Sequence, residues 1–161
     1  PGPRFSTSCW PPPLAPGAFD LVWSEGALYN LGRTRAFEVA RWLLKPGGWF
    51  AFTDAVWRVT DPPSEVRAVF SEDYPTMGRV DEVLADLARA GFLPTEHFEL
   101  PEDAWWTDFY AVLEARLREW RQRHSGDPAL LAILDQVAAE PELRRRHAAT
   151  FGYEFFVATA P

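Results

Sequence analysis

The chain has 161 residues, is 47% hydrophobic and carries a formal net charge of −7, with an isoelectric point near 5.0. That length and apolar content suit one globular domain with a sizeable core. The acidity argues against a nucleic-acid or anionic-membrane surface, which needs a basic patch. The short run Arg144-Arg145-Arg146 reads as a solvated helix face. The single cysteine, Cys9, excludes an internal disulfide framework and a cysteine-based zinc site. No apolar run reaches the roughly 18 residues of a membrane span. No basic-then-apolar leader opens the sequence, so the expectation is a soluble cytoplasmic protein.

Residues 1–18 contain Pro1, Pro3, Pro11, Pro12, Pro13 and Pro16. Such a density removes backbone donors and blocks helix, so this segment reads as loop or polyproline-like. Arg4 to Trp10 fits one short extended piece. Leu21 to Trp23 is then an apolar run bounded by Gly17 and Gly26, as in a buried strand. The spacing of Phe37, Ala40, Trp42, Leu43 and Leu44 predicts a helix over 34–45, capped by Thr34. Pro46-Gly47-Gly48 stops it. Residues 49–54 follow as a strand. A strand, crossover helix and strand joined this way run parallel.

Beyond Asp54, Asp61 or Ser64 begins a short helix holding Val66, Val69 and Phe70, broken at Tyr74-Pro75. Val80, Val83, Leu84, Leu87 and Ala88 share one face of a helix stopped at Gly91. Residues 93–100 read as a strand. Glu102 to Gly152 reads as a helical insertion. A helix over 104–123 carries Trp106, Phe109, Tyr110, Leu113, Leu117 and Trp120. A second starts with Asp127 as cap and Pro128 at its first position. Pro141 starts a third, stopped at Gly152. Tyr153 to Thr159 is the last strand.

Two segments carry a family resemblance. "FDLVWSEGALYNLG" (19–32) and "RWLLKPGGWFAFTD" (41–54) resemble the fourth and fifth strand region of class I S-adenosylmethionine-dependent methyltransferases. The resemblance implies an α/β fold, the C-terminal part of a Rossmann-like sheet. A helical insertion at about 102–152 precedes an antiparallel last strand lying between the fifth and sixth. The implied domain is 19–161, behind a proline-rich segment 1–18. The family's earlier strands carry a Gly-x-Gly-x-Gly loop and a strand-ending acid that hold the cofactor. No two glycines here are separated by a single residue, so the glycine loop is missing, and the strand-ending acid is missing as well. The expectation is a truncated domain whose own binding of S-adenosylmethionine is weak or absent.

Ligands in such sheets bind beyond the C-terminal ends of the strands. The resemblance therefore places Ser24, Glu25 and Gly26 beside the cofactor; as plain residues, Ser24 and Glu25 also suit capping of the next turn. Tyr29, Asn30 and Asp54 fall at the same edge, as substrate contacts or as turn and interface residues. Tyr74 and Met77 resemble a segment that covers the substrate, and Trp105 is read either as a lid residue or as packing. His97, His124 and His147 lack the spacing of a metal site, so no metal is expected. No Gly-x-Ser-x-Gly elbow supports a serine hydrolase. A nicotinamide oxidoreductase would need the missing phosphate loop. Two functions remain: methyl transfer to a small-molecule acceptor, compromised by the missing half, and a non-catalytic remnant or interaction module. In the second, Leu21, Val22 and Trp23 lie on an open sheet edge that self-associates, unless Phe5 to Cys9 folds back as a substitute strand.

Overall fold

A computed structural model of the chain describes residues 14–161. The expected extended piece at Arg4 to Trp10, and the substitute strand at Phe5 to Cys9, lie outside the described residues. The described chain forms two compact units, one running up to Glu99 and rejoined by Phe151–Pro161, the other spanning Leu100–Thr150.

The first unit is a mixed sheet. Strand β1 is Phe19–Ser24, helix α1 Arg33–Leu43, β2 Leu44–Trp57, α2 Ser64–Asp73, β3 Gly78–Arg79, α3 Val80–Arg89, β4 Leu93–Glu99 and β5 Phe151–Ala160. The order is β1-β2-β5-β4, with the short β3 beside the end of β2. β1 runs parallel to β2, and β5 runs antiparallel to both β2 and β4. The expected place and direction of the last strand are therefore correct. β2 begins earlier than residue 49 because Leu44 already pairs with Phe19, and the register then jumps to Leu21 opposite Trp49. The Pro46-Gly47-Gly48 turn sits inside that irregularity.

Thr34 is not the cap of α1. The helix starts one residue sooner, at Arg33, behind Gly32 at φ 75° and ψ 141°. Glycine reaches that conformation without a Cβ penalty, so the chain turns into the helix without a side-chain cap. At α3 the Glu82 carboxylate accepts from the Arg79 N–H at 2.8 Å, closing the first turn.

One face of the sheet holds the core. Phe50, Phe52, Phe156, Ala158 and Ala160 pack against Phe37 and Ala40 of α1 and Val83 and Leu87 of α3. Phe52 and Phe156 stack at 5.0 Å, and Phe37 meets Phe52 at 5.3 Å. Burying each such ring contributes about 2–3 kcal/mol. The opposite face carries Leu21, Trp23 and Trp49 of β1 and β2 in register, with Phe155 and Phe98 of β5 and β4 opposite each other. Trp23 and Phe98 lie on Phe155 from either side, at 5.3 and 5.1 Å. At the far end of this face Phe70 of α2 covers Trp57 and Phe151.

The second unit is helical: α4 Glu102–Trp105, a π-turn Trp106–Tyr110, α5 Ala111–Arg123 and α6 Pro128–His147. The expected helix over 104–123 is interrupted by the π-turn. Its extra residue rotates the helical face, so Phe109 is exposed while Tyr110 and Leu117 are buried. Trp120, expected on the same apolar face, is exposed as well. Asp127 caps α6 as expected, its Oδ1 accepting from the Leu130 N–H at 3.1 Å. Pro141 starts no third helix. It is buried inside α6, which continues to His147, at the loss of one backbone bond. Gly152 stops no helix either, since β5 has begun at Phe151. The phenol of Tyr110 donates to Glu140 Oε1 at 2.9 Å, and Arg144 pairs with Glu102.

Candidate functional site

The C-terminal ends of the parallel strands β1 and β2 bring most of the sequence-derived candidates into one region of the first unit. At β1, Ser24 is half-buried and Glu25 and Gly26 are exposed. Gly26 has φ 53°, a left-handed turn that glycine makes cheaply. Its N–H donates to Thr53 Oγ1 of β2 at 2.8 Å, tying the turn to the neighbouring strand. Glu25 accepts from the Trp23 indole N–H at 3.0 Å. A Cβ built on Gly26 would meet nothing within 4 Å, so the surface above it is open.

A short 3₁₀ turn, Leu28–Asn30, follows. Asn30 is a turn residue: its Nδ2 donates to the Ala27 carbonyl at 3.2 Å. Tyr29 is exposed, and its ring lies 6.4 Å from that of Tyr74. Tyr74, itself buried, donates its hydroxyl to Asp54 Oδ2 at 2.7 Å. Met77 sits in the same loop, its N–H bonded to the Tyr74 carbonyl and its carbonyl accepting from the Trp57 indole at 3.0 Å. Tyr29, Asp54, Tyr74 and Met77 thus come together. Trp105 belongs to the second unit, where its ring meets those of Phe109 and Tyr110.

Asp54 is only 3% exposed, so it is not an open contact for an amine or hydroxyl. Burial pushes its carboxyl up to about 6, against the lowering effects of the Tyr74 hydroxyl, the Arg33 charge and the Ala55 backbone. Burial, with the Asp54 charge beside it, raises the Tyr74 phenol above its ordinary value. Tyr74 therefore stays a hydrogen-bond donor at neutral pH.

Sequence reasoning missed Arg33. This side chain is buried, with Nε donating to Asp86 Oδ2 of α3 at 2.7 Å and Nη1 lacking a hydrogen-bond partner. Its guanidinium would come within 3.1 Å of a Cβ built on Gly78, through both Nη atoms. It joins the start of α1, α3, the Gly78 strand and the Asp54–Tyr74 pair. The available signal was electrostatic: a cation in the first turn of a helix opposes the dipole there and needs a partner. Nothing in the sequence spacing points to Asp86.

No family model matches the sequence. Over 43 residues, 26% of the chain, it is 46% identical to dimethylglycine N-methyltransferase of Parasynechococcus marenigrum (strain WH8102), covering 15% of that protein. The fold resembles an S-adenosylmethionine-dependent methyltransferase from Geobacter sulfurreducens crystallised with S-adenosyl-L-homocysteine. The TM-score is 0.73 at 20% identity, over 90% of this chain and 59% of that one. It also resembles a proposed sarcosine dimethylglycine methyltransferase from Galdieria sulphuraria, with a TM-score of 0.71 at 18% identity, over 92% and 55% of the two chains. The chain thus spans a little over half the length of these solved structures and a smaller part of the curated relative.

The described residues at the β1 end do not enclose an S-adenosylmethionine molecule. Gly26 leaves room above the β1 end, but its N–H is already given to Thr53 and Glu25 already accepts from Trp23. No glycine-rich loop lies in the sequence to cradle the rest. At these identities the likeness establishes the fold: the described sheet and its helices are those of the class I S-adenosylmethionine-dependent methyltransferase fold, over the part of it that this chain covers.

Proposed function

We propose that the chain forms the acceptor-side part of an S-adenosylmethionine-dependent methyltransferase acting on a small molecule. The observation that carries this reading is the grouping of Tyr29, Tyr74 and Met77 around Asp54 at the β2 end of a methyltransferase sheet. A sulfonium methyl is already electrophilic, so the protein's main task is to align the acceptor lone pair for in-line attack. In this chain the exposed Tyr29 ring faces the acceptor and Tyr74 holds the floor beneath it. Asp54 and Arg33 act one layer further in, as positioning residues that fix Tyr74 and the helix starts. The local identity to a dimethylglycine N-methyltransferase supports a small amine as acceptor. Alone, the chain holds the cofactor weakly or not at all, because the β1 end offers one flank only.

The test is a chimera that joins the part of the Geobacter sulfurreducens protein unmatched by this chain to residues 19–161. Label transfer from methyl-labelled S-adenosylmethionine to a panel of small amines is expected. A chimera that folds by circular dichroism and binds the cofactor, yet labels no small molecule, would overturn the reading. The second reading, an interaction module, has its own support in the exposed aromatic sheet face.

A further inference from the structure

A cavity of about 450 Å³ opens among β2, β3, α3, β4 and β5, within the size range of small-ligand sites. None of Tyr29, Asp54, Tyr74 and Met77 lines it. Nor does β1, which forms the sheet edge opposite β4. Its apolar wall is Val56 and Trp57 of β2 with Val80 and Leu84 of α3. Two guanidinium groups and three carboxylates complete the lining. Arg58 pairs with Glu99 and lies over β5 where Gly152 has no Cβ to collide with it. Arg79 pairs with Asp81 at 3.3 Å and donates to Thr60 Oγ1 at 3.0 Å. Glu154 is the carboxylate left over. Its side chain is only 10% exposed, against 52% for Glu99 and 69% for Asp81. His97 Nδ1 meets its Oε1, and Oε2 has no hydrogen-bond partner among the described residues. That oxygen is not sealed off either, since Arg33 Nη1 is the one enclosed side-chain polar atom without a partner there. It therefore reaches the cavity that Glu154 lines.

We infer that this cavity binds a small alkylammonium ion, with Glu154 holding its charge and the wall of Val56, Val80 and Leu84 holding its alkyl group. A carboxylate this buried, with one hydrogen bond, is stabilised by a counter-charge that replaces the water it has lost. The two arginines do not supply it, because each is given to a more exposed acid. No group of three or more His, Cys, Asp or Glu side chains among the described residues could hold a metal ion, and the apolar wall suits an organic cation instead. The Trp57 ring adds an aromatic surface to the same lining, and such rings attract ammonium groups. An anion of the same size would meet the Glu154 charge where water screens it poorly. The inference does not rest on methyl transfer, and the binding it requires is measured without a cofactor.

Proton–nitrogen NMR titration of the full chain at pH 8 with isobutylammonium, isovalerate and isobutanol tests the inference. The probes share one alkyl group and differ in charge. Isobutylammonium should shift the Trp57 indole signal and the Val80 and Glu154 amide signals with a millimolar Kd, and the other two should bind about tenfold more weakly or not at all. Glu154→Gln keeps an acceptor for His97 and removes the charge, so it should weaken the ammonium about tenfold. If that variant loses its fold, Leu84→Trp, which fills the cavity from α3, is read in the same way. Glu38→Gln, at an exposed position of α1, should leave binding unchanged. Absence of shifts at tens of millimolar isobutylammonium, shifts confined to other parts of the chain, or binding that survives both cavity substitutions would each overturn the inference. Isovalerate binding as tightly as the ammonium would assign the cavity to Arg58 and Arg79 and overturn it too.

Discussion

Replacing Asp54 by asparagine separates a buried acid from a solvent-exposed one. In the folded chain the carboxyl titrates at about 6, against 3.8 in an unfolded chain, with burial as the largest cause. The folded state therefore holds a proton that the unfolded state has released over that window. Stability from this group is greatest at low pH, falls as pH rises from about 4 to 6, and is flat above. A shift of one unit is worth about 1.4 kcal/mol, so the full loss is about 3 kcal/mol and the part between pH 4.5 and 7.5 about 2 kcal/mol. The Asp54→Asn side chain would keep an acceptor for the Tyr74 hydroxyl and would not ionise. Urea unfolding of both proteins at the two pH values gives the answer, since other titrating groups cancel in the comparison. The variant should gain about 2 kcal/mol relative to wild type on going from pH 4.5 to 7.5. Parallel pH dependences would refute the placement of Asp54 in a desolvated network.

Three further outcomes follow from the same region. Tyr74→Phe removes the hydrogen bond that holds the Asp54 carboxyl down, so the pH-dependent loss of stability should move to higher pH in the same unfolding series. Arg33→Met leaves Asp86 without its buried partner; because Asp86 also pairs with Arg89, the expected cost in urea unfolding is about 2–3 kcal/mol, at or below the low end for breaking a buried pair. In the chimera, Tyr29→Phe should lower methyl transfer more than cofactor binding; equal losses would indicate damaged packing instead of contact with the acceptor.

The positions of the strands were legible because they depend on short-range signals: the apolar run at Leu21 to Trp23, the Pro46-Gly47-Gly48 turn, and the stop at Gly91; the antiparallel direction of β5 was legible only through the family resemblance. The paired phenol and carboxylate of Tyr74 and Asp54 stand out in the sequence only separately, as two substrate contacts. Their bond to each other was not legible, since it depends on how α2 returns over β2. Arg33 is hidden for the same reason, as its partner Asp86 lies 53 residues away in sequence. The π-turn was not legible either. Periodicity assumes an uninterrupted helix, and one extra residue at Trp106–Tyr110 moves Phe109 off the expected face. Pro141 misleads for the opposite reason: a helix that buries its proline, with Leu143 and Arg144 beyond it, outweighs one missing backbone bond.

If this chain supplies one flank of a methyltransferase site and the unmatched part of the fold supplies the rest, cofactor binding must depend on both. Calorimetric titration of S-adenosylmethionine into the chain alone and into the chimera tests that most directly. The expected result is no measurable binding to the chain alone and micromolar binding, about −8 kcal/mol, to the chimera. Micromolar binding to the chain alone would contradict it.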